Sequence, residues 1–183
     1  MLKTTALIVL ALLLLAVACV LLIAATRPDH FRIERSALIA APAERLFPLI
    51  DNLREMNRWN PFDRKDPQIK GSYSGPAAGP GATYAFEGSR EAGSGQLKVE
   101  SSQAPSQVRM TLDMTRPMAA HNQVEFTLQP EAGGTRVTWA MSGEQPFIGR
   151  VMGVVIDIDR MVGGEFEKGL ADLAAIATSA PAH

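Results

Sequence analysis

Few side chains in this sequence are suited to acid–base, nucleophilic or metal chemistry, and they are widely spaced. Histidine occurs three times, at His30, His121 and His183, and cysteine once, at Cys19. His183 is the terminal residue of the sequence, and His30 sits beside the linker that follows a long apolar segment. His121 alternates in phase with Gln123 and Glu125, which places it on the wet face of a strand; a structural role is expected there, with a catalytic one as the alternative. So few histidines and thiols leave no plausible nucleophilic triad and no zinc site. Among the carboxylates, Asp157, Asp159, Glu165 and Glu167 form pairs two residues apart, and such pairs point to different faces of a helix. Glu165 is closest to an apolar stripe (Ile158, Val162, Phe166), so it faces either an interior hollow or its solvated edge. Arg35 falls in phase with Ile33, Ala37 and Ile39 and is either a buried polar group that orients a ligand or an edge residue. Arg35 and Glu165 are therefore weak candidates only, and no catalytic residue, metal ligand or cofactor is assigned. The segment "GSYSGPAAGPG" lacks the Lys-Ser/Thr ending of a phosphate loop and reads as a turn between strands.

The elements that must position these residues are legible from periodicity. "FRIERSALIAAP" reads as a first strand ending near Pro42. "AERLFPLIDNLREMNRW" reads as one or two short helices, interrupted or bent at Pro48 and ended by "NPF". Leu46, Leu49, Ile50 and Leu53 supply its apolar stripe. Four strands follow, near 68–74, 82–89, 95–102 and 107–115. In the fourth, Val108, Met110, Leu112 and Met114 alternate with Gln107, Arg109, Thr111 and Asp113. "HNQVEFTLQPEAGGTRVTWAMSG" closes the set as a hairpin about Gly133-Gly134. Its bulky face carries Val124, Phe126 and Leu128 against Val137, Trp139 and Met141, while Ala140 belongs to the wet face. A sheet with one apolar face needs a lid. Residues 149–177 provide one: Val151, Val155, Ile158, Val162, Phe166, Leu170 and Leu173 recur every three or four positions, predicting one helix about 42 Å long. Gly163-Gly164 within it marks a kink or a close approach to another backbone.

The chain has 183 residues and a formal net charge of −1, which suits one domain with an appendage and argues against nucleic acid as the main partner. From Thr4 to Ala25 there is no charge, glycine or proline. Those residues reach roughly 33 Å as a helix, enough for a hydrocarbon core of about 30 Å. An uncleaved membrane anchor is favoured over a cleaved signal, whose apolar region is normally shorter. "AVAC" ending at Cys19 faintly resembles a lipoprotein box, but the apolar run continues beyond it. The expected division is residues 1–26 as a transmembrane anchor and 27–183 as the domain. Lys3 favours placing the domain outside the cytoplasm, whereas Arg27, Arg32 and Arg35 pull the other way; the balance leans outside.

What remains for function is apolar. Trp59, Tyr73, Tyr84, Phe86 and Trp139 are each either plain core or ligand wall. Met110, Met114, Met141, Met152 and Met161 add soft, adaptable surface of the kind that holds ligands of variable shape. A mostly apolar pocket with few polar groups is the usual small-molecule site.

The order strand, two short helices, six strands and long C-terminal helix resembles the START-like helix-grip superfamily (SRPBCC). "FRIERSALIAAPAERLFPLIDNLREMNRWNPF" resembles the opening of its polyketide cyclase/dehydrase-like branch, and "AHNQVEFTLQPEAGGTRVTWAM" and "MVGGEFEKGLADL" resemble its last hairpin and helix. The resemblance implies an α+β helix-grip fold: a curved antiparallel sheet of about seven strands wrapped on the long helix, here with an N-terminal transmembrane helix added. It also implies a cavity between sheet and helix. On that basis the expected ligand wall comprises Trp59, Tyr73, Tyr84 and Phe86, then Met110, Leu112, Met114, Phe126, Trp139 and Met141 from the sheet. Val155, Ile158, Val162 and Phe166 would complete it from the helix. The expected partner is a hydrophobic small molecule or lipid, with the membrane engaged through residues 4–25. Binding is favoured over a cyclase or dehydratase reaction, since only Arg35 and Glu165, with tyrosine hydroxyls as helpers, offer ionisable groups. An interaction domain with a filled core is the third reading.

Overall fold

The computed structural model describes residues 2–89 and 92–179; His183 lies outside them. The chain separates into two compact units, residues 1–31 with 144–158, and residues 32–143 with 159–183. The first unit is built on α1 (Leu2–Thr26), whose Thr4–Thr26 portion has a mean hydropathy of 3.4 and is long enough to cross a membrane. No acidic or basic residue interrupts Thr4–Thr26, and nearly all the side chains of that portion are exposed. Length and composition alone would also admit a signal sequence.

The second unit is a seven-stranded antiparallel sheet in the order β1-β7-β6-β5-β4-β3-β2. Its strands are β1 (His30–Ile39), β2 (Lys70–Ser74), β3 (Thr83–Glu87), β4 (Ser94–Gln103), β5 (Gln107–Arg116), β6 (Ala120–Glu131) and β7 (Gly134–Glu144). Between β1 and β2 run α2 (Ala43–Asp51), α3 (Leu53–Met56) and α4 (Pro61–Arg64); after β7 come α5 (Phe147–Val155) and α6 (Ile158–Thr178). The hairpin register pairs Val124 with Met141, Phe126 with Trp139 and Leu128 with Val137, so one face carries the bulk. Gly133 turns the chain between them at φ +92°, a left-handed conformation that favours glycine.

Three boundaries differ from the sequence expectation. α2 runs through Pro48 and ends instead at Asn52, whose side chain turns outward to accept the Arg54 amide (2.9 Å) and cap α3. "NPF" begins a helix rather than only ending one. Asn60 accepts the Phe62 amide (3.2 Å) and Pro61 sits in the first turn, where its missing N–H costs nothing. The expected single C-terminal helix is two helices, broken at Ile156, which is extended (φ −114°, ψ 127°). Asp157, of a residue type that favours the N-cap, stands directly before α6.

The packed core gathers five rings. Trp139 stacks on Phe166 of α6 at 4.2 Å between centroids and 9° between planes. Trp59 meets Trp139 (5.7 Å) and Phe126 (5.9 Å) edge-on, and Phe62 meets Trp139 at 6.3 Å. Trp59 is fully buried and its indole N–H donates to the Leu49 carbonyl (2.8 Å), so its polar atom is satisfied. Leu46, Ile50 and Leu53 of α2 and α3, and Leu170 and Leu173 of α6, are also buried to 2% exposure or less. Ala140 keeps the outward phase of Thr138 and pairs with Glu125, yet it is only 2% exposed. Its single methyl group is small enough to be shielded on an otherwise polar surface.

α6 approaches the sheet closely at two glycines. A Cβ on Gly169 would stand 2.7 Å from the Trp139 ring, and one on Gly163 would run into the Arg35 guanidinium. Gly164, one position on, has open space. The pair therefore marks a close approach at its first member, and the helix continues without a kink. Arg35 reaches across from β1 to donate to Asp159 (2.8 Å) and Glu167 (2.9 Å).

Adjacent glycines should thus respond with opposite signs. Gly164→Ala is expected to stabilise by about 0.5–1 kcal/mol through backbone entropy. Gly163→Ala should destabilise by about 1–3 kcal/mol from overpacking, and that loss should shrink in an Arg35→Ala background. Denaturant unfolding of the full chain in detergent reads both. Equal responses at the two positions would show that Arg35 does not occupy that space.

Candidate functional site

On the sheet's helix-facing side, beyond the aromatic cluster, lies a hollow of about 300 Å³. Tyr84 and Phe86 of β3, Leu97 of β4, and Leu112 and Met114 of β5 form one side, with Asn122, Val124, Trp139 and Met141 from the hairpin. Val162 and Phe166 of α6, Met56 of α3, and Asn60, Phe62 and Asp63 around α4 close the rest, with Ile69, Ala92 and Pro117 from connecting segments. Sheet register explains why these side chains meet. Tyr84 pairs with Leu97, Leu97 with Leu112, and Leu112 with Asn122, so four strands present one row of residues to the same space.

The wall is apolar with five polar residues, of which Asn60 is already engaged in capping α4. The Tyr84 hydroxyl donates to Asp63 Oδ2 (2.6 Å). Burial raises the Asp63 carboxyl above its ordinary value, only partly offset by that hydrogen bond. Burial, reinforced by the adjacent Asp63, likewise drives the Tyr84 phenol far above its ordinary value, so it remains the donor. Asn122 is buried at 7% exposure. The indole N–H of Trp139, itself 3% exposed, has no hydrogen-bond partner among the described residues. An unmet buried donor is a costly arrangement.

α4 holds Asp63 in place with consecutive side chains. Arg64 pairs with Asp172 of α6, and Lys65 approaches Glu165 of α6 at 3.2 Å. Lys168 also donates to Glu165 (2.9 Å). Glu165 is therefore an ion-paired clamp rather than part of the cavity wall. Burial works to raise its carboxyl, but hydrogen bonds from Lys168 and Lys65 outweigh that and lower it.

Of the residues expected from sequence to form a ligand wall, Tyr84, Phe86, Leu112, Met114, Trp139, Met141, Val162 and Phe166 line the hollow. Trp59, Met110 and Phe126 are not in its wall; Met110 and Phe126 have the inward strand parity and Trp59 comes from the turn between α3 and α4, but all three lie in the solid part of the core, each fully buried. Tyr73 lies at the strand edge against Tyr84 (4.7 Å), under the Arg54 guanidinium (4.1 Å) and accepting from Asn57 Nδ2 (2.9 Å). Val155 stands at the end of α5, 81% exposed, because the helix breaks one residue later; Ile158, at the start of α6, is half-buried and outside the wall. Arg35 is held by Asp159 and Glu167. His121 is exposed and paired with Asp113, on the wet face as its phase required. Asn122 and Asp63 were missed. Asn122 shares the parity of Val124 and was legible on that ground. Asp63 needed the helix-start signal in Asn60-Pro61, which puts it on a turn facing the sheet.

An antiparallel sheet closed by one long helix over an apolar hollow is the helix-grip, START-like architecture. The chain belongs to the family described as polyketide cyclase / dehydrase and lipid transport, which matches residues 30–178. Solved structures share the fold. Protein CV1439 from Chromobacterium violaceum is 15% identical, covers 84% of this chain and 100% of its own, and superposes with a TM-score of 0.59. The Aha1 dimer from Colwellia psychrerythraea is 17% identical, with 81% and 99% covered and a TM-score of 0.57. Protein Ms6760 from Mycobacterium smegmatis is 18% identical, with 83% and 93% covered and a TM-score of 0.54. No curated protein matches the chain at a significant level. Family and fold together make this a ligand-binding or cyclase-like module.

The two carboxyls beside the hollow should give opposite pH signatures. Asp63 is raised in the folded state, so its contribution is most favourable below its unfolded value near 3.8 and is lost as pH rises through the folded value. Glu165 is lowered, so its contribution is present above about 4.5 and is lost as pH falls through the folded value. Relative to the parent, Asp63→Asn should gain stability from pH 3 to 7, whereas Glu165→Gln should lose it. Unfolding free energies across that range test the signs; parallel curves for the two variants would contradict them.

Proposed function

We propose that this protein is a membrane-anchored binding module that holds a hydrophobic small molecule or a lipid chain in the hollow between sheet and α6. In this reading residues 1–26 are the anchor and 27–183 the binding domain, placed outside the cytoplasm. The observation that carries it is the wall itself: apolar rings and thioethers around about 300 Å³, with the unpartnered Trp139 N–H and buried Asn122 among them. That volume is at the lower end of the roughly 300–1,000 Å³ of small-molecule sites, which favours a compact ligand or a single chain over a whole two-chain lipid. An apolar body with one hydrogen-bond acceptor, such as a carbonyl, matches the wall's chemistry.

Native mass spectrometry of the detergent-extracted full chain tests this. The parent should retain a noncovalent apolar adduct. Val124→Trp, which fills the hollow, should lose that adduct while unfolding at nearly the same denaturant concentration. An adduct equal on both proteins would place the bound molecule elsewhere. A Val124→Trp protein destabilised by about 1–3 kcal/mol or more, with no adduct on the parent, would mean that the core is effectively full.

A cyclase or dehydratase reaction is the second reading, and Asp63 favours it. It is the one carboxyl among the described residues of the wall, and burial raises its affinity for protons, the direction that strengthens a general base. Asp63 would take a proton from carbon activated by adjacent carbonyls, with the Tyr84 hydroxyl fixing the carboxylate. The expected signature is deuterium uptake from solvent into a 1,3-diketone probe, lost in Asp63→Asn and reduced in Tyr84→Phe. Uptake unchanged in Asp63→Asn would remove the residue from any such step.

A further inference from the structure

Helix α5 inverts the usual arrangement of an amphipathic helix. In a globular protein the apolar stripe turns inward and polar residues face water. None of the nine residues of α5 is buried. Ile148, Met152 and Val155 are spaced i, i+4, i+7 and so share one face; they are 55%, 42% and 81% exposed. Phe147 and Ile156 extend that surface, at 45% and 43%. The side that makes contacts is the polar and glycine side. Arg27 at the end of α1 donates to the Gly153 carbonyl, and Arg150 returns a hydrogen bond to the Arg27 carbonyl (3.2 Å). The apolar face is thus turned away from the protein in the very unit that contains α1.

We propose that α5 is an interfacial helix whose Ile148-Met152-Val155 face lies in the boundary between lipid headgroups and acyl chains. This rests on α1 being a membrane span. The occupant follows from continuity with α1. Thr4–Thr26 is roughly 34 Å long, so its last turn reaches the bilayer surface. Ala24 in that turn is fully buried, whereas Leu21, Leu22 and Ile23 beside it are 42%, 68% and 48% exposed. The Arg27–Gly153 and Arg150–Arg27 hydrogen bonds tie α5 to that end of the span, so its exposed apolar face lies beside the exposed apolar end of α1. The composition fits as well: cationic Arg27 and Arg150 on the polar side, Phe147 and aliphatic residues on the other. Arg150 lies over the Phe147 ring at 5.3 Å, which lets a long cationic side chain cover apolar surface while its charge stays at headgroup level.

The test uses the full chain in phosphatidylcholine vesicles containing one-fifth phosphatidylglycerol. In a Cys19→Ser background, Leu13→Cys and Val155→Cys each carry a single fluorophore. Nitroxide lipids labelled near the headgroup or at mid-chain, and an aqueous iodide quencher, report depth. The Val155 probe should be quenched several-fold more by the shallow nitroxide than by iodide, and the Leu13 probe most by the mid-chain nitroxide. Val155 quenched by iodide alone, with Leu13 deep, would overturn the interfacial helix and leave the anchor standing. A Val155 probe shielded from both quenchers would mean a protein surface covers the face, which overturns the proposal too. Leu13 open to iodide would remove the anchor and the proposal with it.

Discussion

The stacking of Trp139 on Phe166 is the contact through which the sheet holds α6, and the rest of the domain is arranged around it. It requires helix and strand to approach within ring thickness, which Gly169 permits by offering no Cβ to the indole. Burial of the two rings, and of Trp59 and Phe126 beside them, supplies the apolar area that fixes the helix. The same indole also bounds the hollow. One side chain therefore separates a solid half of the interior, where Met110, Phe126 and Val108 are fully buried, from a half that is open.

What keeps the second half open is the turn at α4. Asp63, Arg64 and Lys65 are consecutive, and each is committed to a different element: Asp63 to Tyr84 of the sheet, Arg64 to Asp172, and Lys65 to Glu165. Phe62, from the same turn, reaches both Trp139 and Phe166 at 6.3 Å. Four successive side chains thus brace the sheet and α6 at once. Such a brace resists collapse better than an apolar loop would, because each charged end has a fixed partner and loses it if the walls move together. The exposed ion pairs contribute little stability individually; their role is geometric.

The sheet was legible because alternation is a local property. β5 and the β6/β7 hairpin follow the phase of Val108, Met110 and Leu112, and of Phe126 and Trp139, almost residue for residue. Parity could not separate Met110 from Leu112, although one is core and the other is cavity wall. That distinction depends on what stands opposite, and α4 and α6 come from distant parts of the chain. The lid misled for a related reason. Periodicity continues from Val151 to Leu173, yet Ile156 breaks the helix, and the first part buries nothing in protein. An apolar stripe states only that a face avoids water. Gly163 carried a true signal, but its partner, Arg35, is 128 residues away in sequence and invisible to local reading.

The placement of the two tryptophans gives the molecule an optical asymmetry. Trp59 is sealed, and its N–H is engaged by the Leu49 carbonyl, but its ring lies 5.7 Å from Trp139, close enough for the two indoles to share excitation. Trp139 borders the hollow with an unengaged N–H, and its excited state therefore answers to whatever occupies that space. With no third indole in the chain, the whole tryptophan emission comes from this pair, one member of which borders the hollow. Occupancy of the interior is written into its intrinsic fluorescence without any label.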